Sequence, residues 1–322
     1  MSKIIVSARV TMRKPHRPLF VTIFLVLGLS VGPSARANAA EEKQTFDSPK
    51  AAVDALVTAA ENGDMKTLDS ILGSDAEPIL SSGDPVADRN ARDNFAANYR
   101  EMHRIAYDAQ GRVILYLGAG NWPFPIPLIK KNGAWEFDTA SGETELLNRR
   151  IGQNELHTIG VLKELTRAQQ EYANEEREGG SVKQFARKIL SDPGTHDGLY
   201  WAAAESEPAS PIGPLVASAT AEGYEKGSNG NPVPFHGYYY RVLTQQGVHA
   251  PGGARNYLVN GKMTRGFAFL AYPAEYRSSG VMTFMVNQDG VIVQKDLGAN
   301  TGQVVKAMTK FNPDRTWEQV LE

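Results

Sequence analysis

The sequence predicts an α+β protein: helices packed on a small antiparallel sheet, then a long helix and an antiparallel meander. Three observations carry this reading. Apolar residues recur at helical spacing up to about residue 103 and then switch to a period of two. Asn132-Gly133 lies between two alternating segments, the strongest short hairpin signal. A helical stretch from Ser141 to about Glu176 precedes a loop-rich segment and then alternating runs joined by Asn-Gly and Asp-Gly turns. Helices first and antiparallel strands after give a layered α+β arrangement with the helices on one sheet face.

The first element is a leader. Arg9, Arg13, Lys14 and Arg17 precede the apolar run Leu19–Leu29, and Ala37-Asn38-Ala39 fits the small-x-small cleavage pattern. Residues 1–39 therefore read as a cleavable signal peptide, with Ala40 as the new N-terminus. The expected location is periplasmic or secreted. The leader's apolar run is too short to cross a bilayer comfortably, and no later stretch reaches that length, so no stable membrane span is expected in the mature chain.

Ser48 and Pro49 then open a helix, with Val53, Leu56, Val57 and Ala60 on one stripe and Asn62-Gly63 as its stop. Asp64 caps a second helix with Leu68, Ile71 and Leu72 inward, ending at Gly73. A third helix is predicted from about Arg89 to His103. Strands follow at 112–117, 126–130 and 134–138. Together these make an N-terminal domain over residues 40–141. Residues 142–322 form the second domain. It starts with the long helix, whose buried side holds Ile151, Ile159, Leu162, Leu165 and Tyr172, interrupted by Gly152 and Gly160. Ser181-Val-Lys-Gln184 matches a capping box and predicts a short helix carrying Phe185, Ile189 and Leu190 inward. Residues 192–235 read as long loops with one short helix near 215–223. Strands are predicted at 237–244, 256–259, 265–271, 281–287 and 291–295, and a last helix at 301–310.

Charge and composition exclude several function classes. The chain has 34 basic and 36 acidic residues. The leader holds six of the basic ones and no acid, so the remainder carries a formal charge of −8. An acidic body disfavours nucleic-acid partners and anionic membrane surfaces. With no cysteine, disulfides, thiol nucleophiles and cysteine–zinc sites are ruled out.

The catalytic motifs tested are absent. Gly118-Ala-Gly120 follows a strand but leads into Asn121-Trp-Pro123, not a phosphate-binding helix. There is no His-Glu-x-x-His and no Gly-x-Ser-x-Gly. The five histidines after the leader, His103, His157, His196, His236 and His249, form no cluster in sequence. No metal or other cofactor is implied.

Two groups of residues remain as binding candidates. Asp192-Pro-Gly-Thr-His-Asp-Gly198 places Asp192, His196 and Asp197 on one loop, an arrangement that turn chemistry also explains. The second group is aromatic. Trp122-Pro-Phe-Pro-Ile-Pro127 must be an edge strand or an extended segment, because proline cannot donate to a ladder, and its Trp122 and Phe124 either dock a partner or cover the edge of the core. Trp201, Tyr238, Tyr240 and Tyr272 form either a stacking surface for sugar or peptide or part of the core.

The chain resembles the bacterial domain-of-unknown-function 2950 family. The resemblance is carried by Trp122–Leu128, Trp135-Glu-Phe-Asp138, Arg149-Arg-Ile-Gly-Gln-Asn-Glu155, Ala168-Gln-Gln-Glu-Tyr172, Asp197-Gly-Leu-Tyr-Trp201, Ser210-Pro-Ile-Gly-Pro214, His236-Gly-Tyr-Tyr239 and Gly280-Val-Met-Thr-Phe284. It implies no catalytic residues. The first half is also similar to cystatin-like or nuclear-transport-factor-like folds, and the second to a pilin or pseudopilin globular domain. The leading expectation is a non-enzymatic envelope interaction or scaffolding protein, its partner an envelope protein or cell-wall component. A second is a small-ligand module with a pocket near Trp122, Trp135 and Phe137. A third is a hydrolase whose dispersed site includes Asp192, His196 and Asp197.

Overall fold

Ser48 accepts a hydrogen bond from the Ala51 N–H, and Gly63 closes the same helix at φ 61°, so α1 spans Pro49–Asn62 as its capping residues dictate. The computed structural model describes residues 43–73, 76–175, 182–203, 207–225 and 232–321, all within one compact unit, Ala40–Glu322. The leader and its cleavage motif, Gly179-Gly180, Ser181 and Asn229–Asn231 lie outside the described residues.

After α1 come α2 (Met65–Leu72), the one-turn α3 (Glu77–Leu80) and α4 (Pro85–Glu101). α4 starts earlier than the apolar spacing predicts, because Asp84 caps it by accepting from Val86 and Ala87 with Pro85 at the first helical position. The first sheet holds β1 (His103–Tyr107), β2 (Val113–Leu117), β3 (Trp122–Pro123), β4 (Leu128–Lys131) and β5 (Ala134–Phe137). Its order is β1-β2-β4-β5, with β3 also pairing β2, all antiparallel. β1 is invisible to a period-two reading because nearly all of it is exposed. The Trp122–Pro127 segment is the extended edge that its prolines require: β3 lies on β2, and the Phe124 N–H reaches the Leu115 carbonyl at 2.8 Å.

α5 (Thr139–Asn174) is continuous through Gly152 and Gly160 and about 54 Å long at 1.5 Å per residue. Leu146 packs on the core formed by α1, α2 and the first sheet, whereas Val161, Leu162, Leu165 and Tyr172 belong to a second core. The helix thus serves both.

The capping-box helix expected around 181–190 does not form over its described part. β6 (Lys188–Leu190) instead runs parallel to β7 (Gly198–Tyr200). The reason is tertiary. The Gln169 side chain takes both the N–H and the carbonyl of Ala186 at 2.8 Å, and the Phe185 N–H goes to Met263. Backbone groups that a helix would satisfy are satisfied by distant partners.

α6 (Gly213–Ala221) precedes the second sheet. Its strands are β8 (Tyr238–Leu243), then, beyond the small ribbons β9 (Gln245–Gln246), β10 (Arg255–Asn256), β11 (Leu258–Val259) and β12 (Lys262–Met263), the central β13 (Ala268–Pro273), β14 (Met282–Asn287) and β15 (Ile292–Asp296). Beyond α7 (Thr301–Ala307), β16 (Glu318–Gln319) completes the antiparallel order β8-β13-β14-β15-β16. Phe267, Phe269, Phe284 and Tyr238 are fully buried between this sheet and α5. Among the described residues, no helix is long and apolar enough to cross a membrane.

Candidate functional site

A cleft of about 850 Å³ opens between α4 and α5. Its direction follows from the helices. On α4 the lining runs from Ala87 to Asn98, and on α5 from Leu146 to His157. Each run covers about 16 Å at 1.5 Å per residue. The helices are antiparallel along it. Asn90, near the start of α4, donates to the Glu222 carbonyl at 3.0 Å, and Glu222 pairs with His236, which touches His157 on α5. At the other end Asn98 accepts from the Gly118 N–H through its carbonyl, and Arg149 of α5 lies over Trp122.

The two ends differ in chemistry. The Trp122 end has an apolar floor, with Arg149 and Asn98 at its rim. Phe124 packs on Phe95 with ring centres 5.3 Å apart and on Trp122 at 6.2 Å, while Leu56, Leu68 and Leu146 complete the floor. The other end is polar. The His157 and His236 rings lie 4.4 Å apart, and His236 Nε2 is 3.4 Å from the Glu222 carboxylate. Burial holds the His236 imidazole below its ordinary value; His157 adds to this, and Glu222 and Asp84 oppose it.

Asp84 places His236. Its carboxylate is fully buried and accepts from Val86 and Ala87 at one oxygen and from Tyr224 Oη (3.0 Å) and the Gly237 N–H (2.8 Å) at the other. Tyr224 Oη in turn accepts from the His236 N–H. His236 has φ 49° and Gly237 φ 73°, a left-handed pair. Only glycine fits at 237, since a Cβ there would lie 2.5 Å from Asn154 Nδ2. Burial, with Asp84 beside it, pushes the Tyr224 hydroxyl up, so it stays protonated at neutral pH.

Arg150 braces the middle of the cleft. It donates to the Pro78 carbonyl at 2.8 Å, to the Ile79 carbonyl and to Ser278 Oγ at 3.3 Å. Ser278 Oγ also donates toward the Pro78 and Ser81 carbonyls, so α3 is tied to both α5 and the turn before β14. Such a polar seam between two apolar cores is a common setting for a ligand site.

The aromatic and acidic residues singled out from sequence separate. Trp122 and Phe124 line the cleft, whereas Trp135 and Phe137 fill the core and do not reach it. Trp201 and Tyr238 are buried: Trp201 donates to the Pro208 carbonyl at 3.1 Å and Tyr238 to the Met282 carbonyl at 2.9 Å. Tyr240 meets Thr158 at 3.2 Å, and Tyr272 lies against Tyr239. These aromatics share no open surface. Asp192 and Asp197 both pair with Lys188, Asp197 at 2.7 Å, and Asp197 also accepts from Thr195 and the Asp192 N–H. Burial alone would raise Asp197, but the hydrogen bonds from Lys188, Asp192 and Thr195 outweigh it and hold the carboxyl down to about 2. The His196 ring stacks on Trp201 at 4.4 Å. The loop is a turn tied down by Lys188, by Trp201 and by Tyr172 Oη, which donates to the His196 carbonyl at 2.6 Å. Among the described residues, no group of three or more His, Asp or Glu side chains is placed to hold a metal.

Sequence reasoning missed Asp84, Arg92 and Tyr224, named Arg150 only within a segment of the family resemblance, and saw His157 and His236 as separate histidines, His236 also within such a segment. Asp84-Pro85 was the one local signal present, since Asp before Pro opens a helix.

A family model described as a protein of unknown function (DUF2950) matches residues 43–320. No curated protein and no solved structure matches the chain significantly. Of the segments quoted for the resemblance, those containing Trp122, Arg149-Arg150 and His236 meet at the cleft.

Proposed function

Because the chain belongs to the DUF2950 family of proteins of unknown function, we propose its role from the cleft: it is an exported, non-enzymatic protein that binds a small ligand between α4 and α5. One observation carries this reading. The cleft has the size of a small-molecule site, with an apolar floor and a few converging polar groups. Export rests on the leader sequence, which puts the mature protein, beginning at Ala40, in the bacterial cell envelope or outside the cell. The test is native mass spectrometry of the mature protein mixed with a small-molecule extract of cell envelopes. A stoichiometric adduct that Ala91→Trp abolishes is expected, because Ala91 lines the cleft. No adduct, or one indifferent to Ala91→Trp, would overturn the reading.

A second role, docking to an envelope protein, has its own observation. Among the described residues β1 is an edge strand that pairs only with β2, and it exposes Ile105 and Tyr107, with Met102 just before it. Crosslinking from Tyr107 in intact cells is expected to capture one defined partner, and a diffuse set of products would remove this role. A pilin-like second half, expected from the sequence alone, is proposed with the same role.

A further inference from the structure

We propose that the cleft takes a small amphipathic anion, whose ring system or short chain lies against Phe95, Phe124 and Trp122 and whose anionic head bridges Arg92 and Arg150. The proposal deepens the ligand-binding reading and rests on it. Two cations without carboxylate partners face the same space from opposite walls. Arg92, on α4, is half-buried and has no hydrogen-bond or ion-pair partner among the described residues. Arg150, on α5, spends its donors on neutral acceptors alone, two carbonyls and a hydroxyl. Burial pulls its guanidinium below the ordinary value, and the Asp88 carboxylate only partly opposes this.

The acids in the cleft are otherwise engaged or solvated. Both Asp88 oxygens accept from the Ser82 N–H, at 3.1 and 3.0 Å. Glu222 faces His236, and Asp93 is exposed. An incoming anion therefore meets two guanidinium groups that form no ion pair among the described residues, with Asp88 acting on Arg150 only from beyond ion-pair distance, and charge-assisted hydrogen bonds to guanidinium are among the strongest available. A cation would meet repulsion there, and a neutral ligand would leave both arginines as they are.

Position fixes the shape of the ligand. Arg92 lies one turn before Phe95 on α4, and Arg150 one turn after Leu146 on α5. Both sit where the apolar floor gives way to the polar end. The apolar part of the ligand is thus limited to about half of the cleft, roughly 8 Å of helix length. That suits an aromatic ring system or a short acyl chain. The head, carboxylate or phosphate, sits beside the arginines with the histidine pair beyond it.

The test is a fluorescence titration of the mature chain with two probes that share a ring system. Anilinonaphthalene sulfonate carries an anionic head, and N-phenylnaphthylamine does not. The sulfonate is expected to bind at one site, about tenfold or more tighter than the neutral probe. Arg92→Gln should erase most of that difference by weakening the sulfonate alone, and Arg92→Lys should recover part of it. Since Arg92 holds no partner, the melting temperature of both variants should match that of the parent. Equal affinity for the two probes, or no effect of Arg92→Gln, overturns the proposal and leaves the cleft as a binding site. If neither probe binds, or if Ala91→Trp leaves binding intact, the ligand-binding reading falls with it.

Discussion

Asp84 gathers four donors from three separate segments onto one buried carboxylate: Val86 and Ala87 at the start of α4, Tyr224 after α6, and Gly237 before β8. Asp84→Ala would leave the buried Tyr224 and Gly237 donors unsatisfied and remove the cap of α4, and a loss of about 3 kcal/mol or more in unfolding free energy is expected by chemical denaturation. Asp84→Asn keeps an acceptor and should cost roughly half as much. The neighbouring Gly237→Ala must place a methyl 2.5 Å from Asn154 Nδ2 at φ 73°, and should also destabilise, by about 2 kcal/mol. From sequence, Asp84 was legible as a helix cap at most. Nothing local shows that its second oxygen holds Tyr224 and Gly237, because those partners come from far along the chain. Trp122 and Phe124 were legible for the opposite reason. The prolines around them forbid a central strand, so the segment had to lie at an edge.

α5 shows how differently glycines behave within one element. A Cβ at Gly152 or Gly160 would meet nothing within 4 Å, and neither glycine has a positive φ. Gly152→Ala and Gly160→Ala should each stabilise the protein by about 0.5–1 kcal/mol and raise its melting temperature. Gly142 is the contrast. A Cβ there would lie 2.5 Å from the Pro125 carbonyl oxygen, so Gly142→Ala should destabilise by about 2 kcal/mol and loosen the Trp122–Pro127 edge. The long helix, the hairpin at Asn132-Gly133 and the strands of the meander were legible because period and turn chemistry agree there. The helix expected after Ser181 was not, because Gln169 and Met263 satisfy its backbone groups from a distance. A local capping pattern carries no information about such partners.

At the scale of the whole molecule, two apolar cores share α5 and meet along a polar seam, and the cleft lies on that seam. The seam makes stability depend on pH. Burial holds the folded His236 below its ordinary value of 6.5. The unfolded chain therefore takes up the proton first, and stability falls as pH drops below about 6.5. Melting temperatures measured between pH 8 and pH 5 should decline on the acid side, and His236→Asn, which tolerates the left-handed backbone, should flatten that decline. A bound anion should oppose the same decline by favouring the imidazolium. The two layers were legible as patterns, but the cleft was not, since its walls are united only by the way α4 and α5 run past each other. The central claim is that this space between α4 and α5 is the binding site. Hydrogen exchange of the mature chain with and without anilinonaphthalene sulfonate tests it most directly. Protection confined to the cleft-lining segments, chiefly residues 85–101, 117–124 and 146–157, and absent in Ala91→Trp, is the expected result. Protection elsewhere, or equal protection in Ala91→Trp, would contradict it.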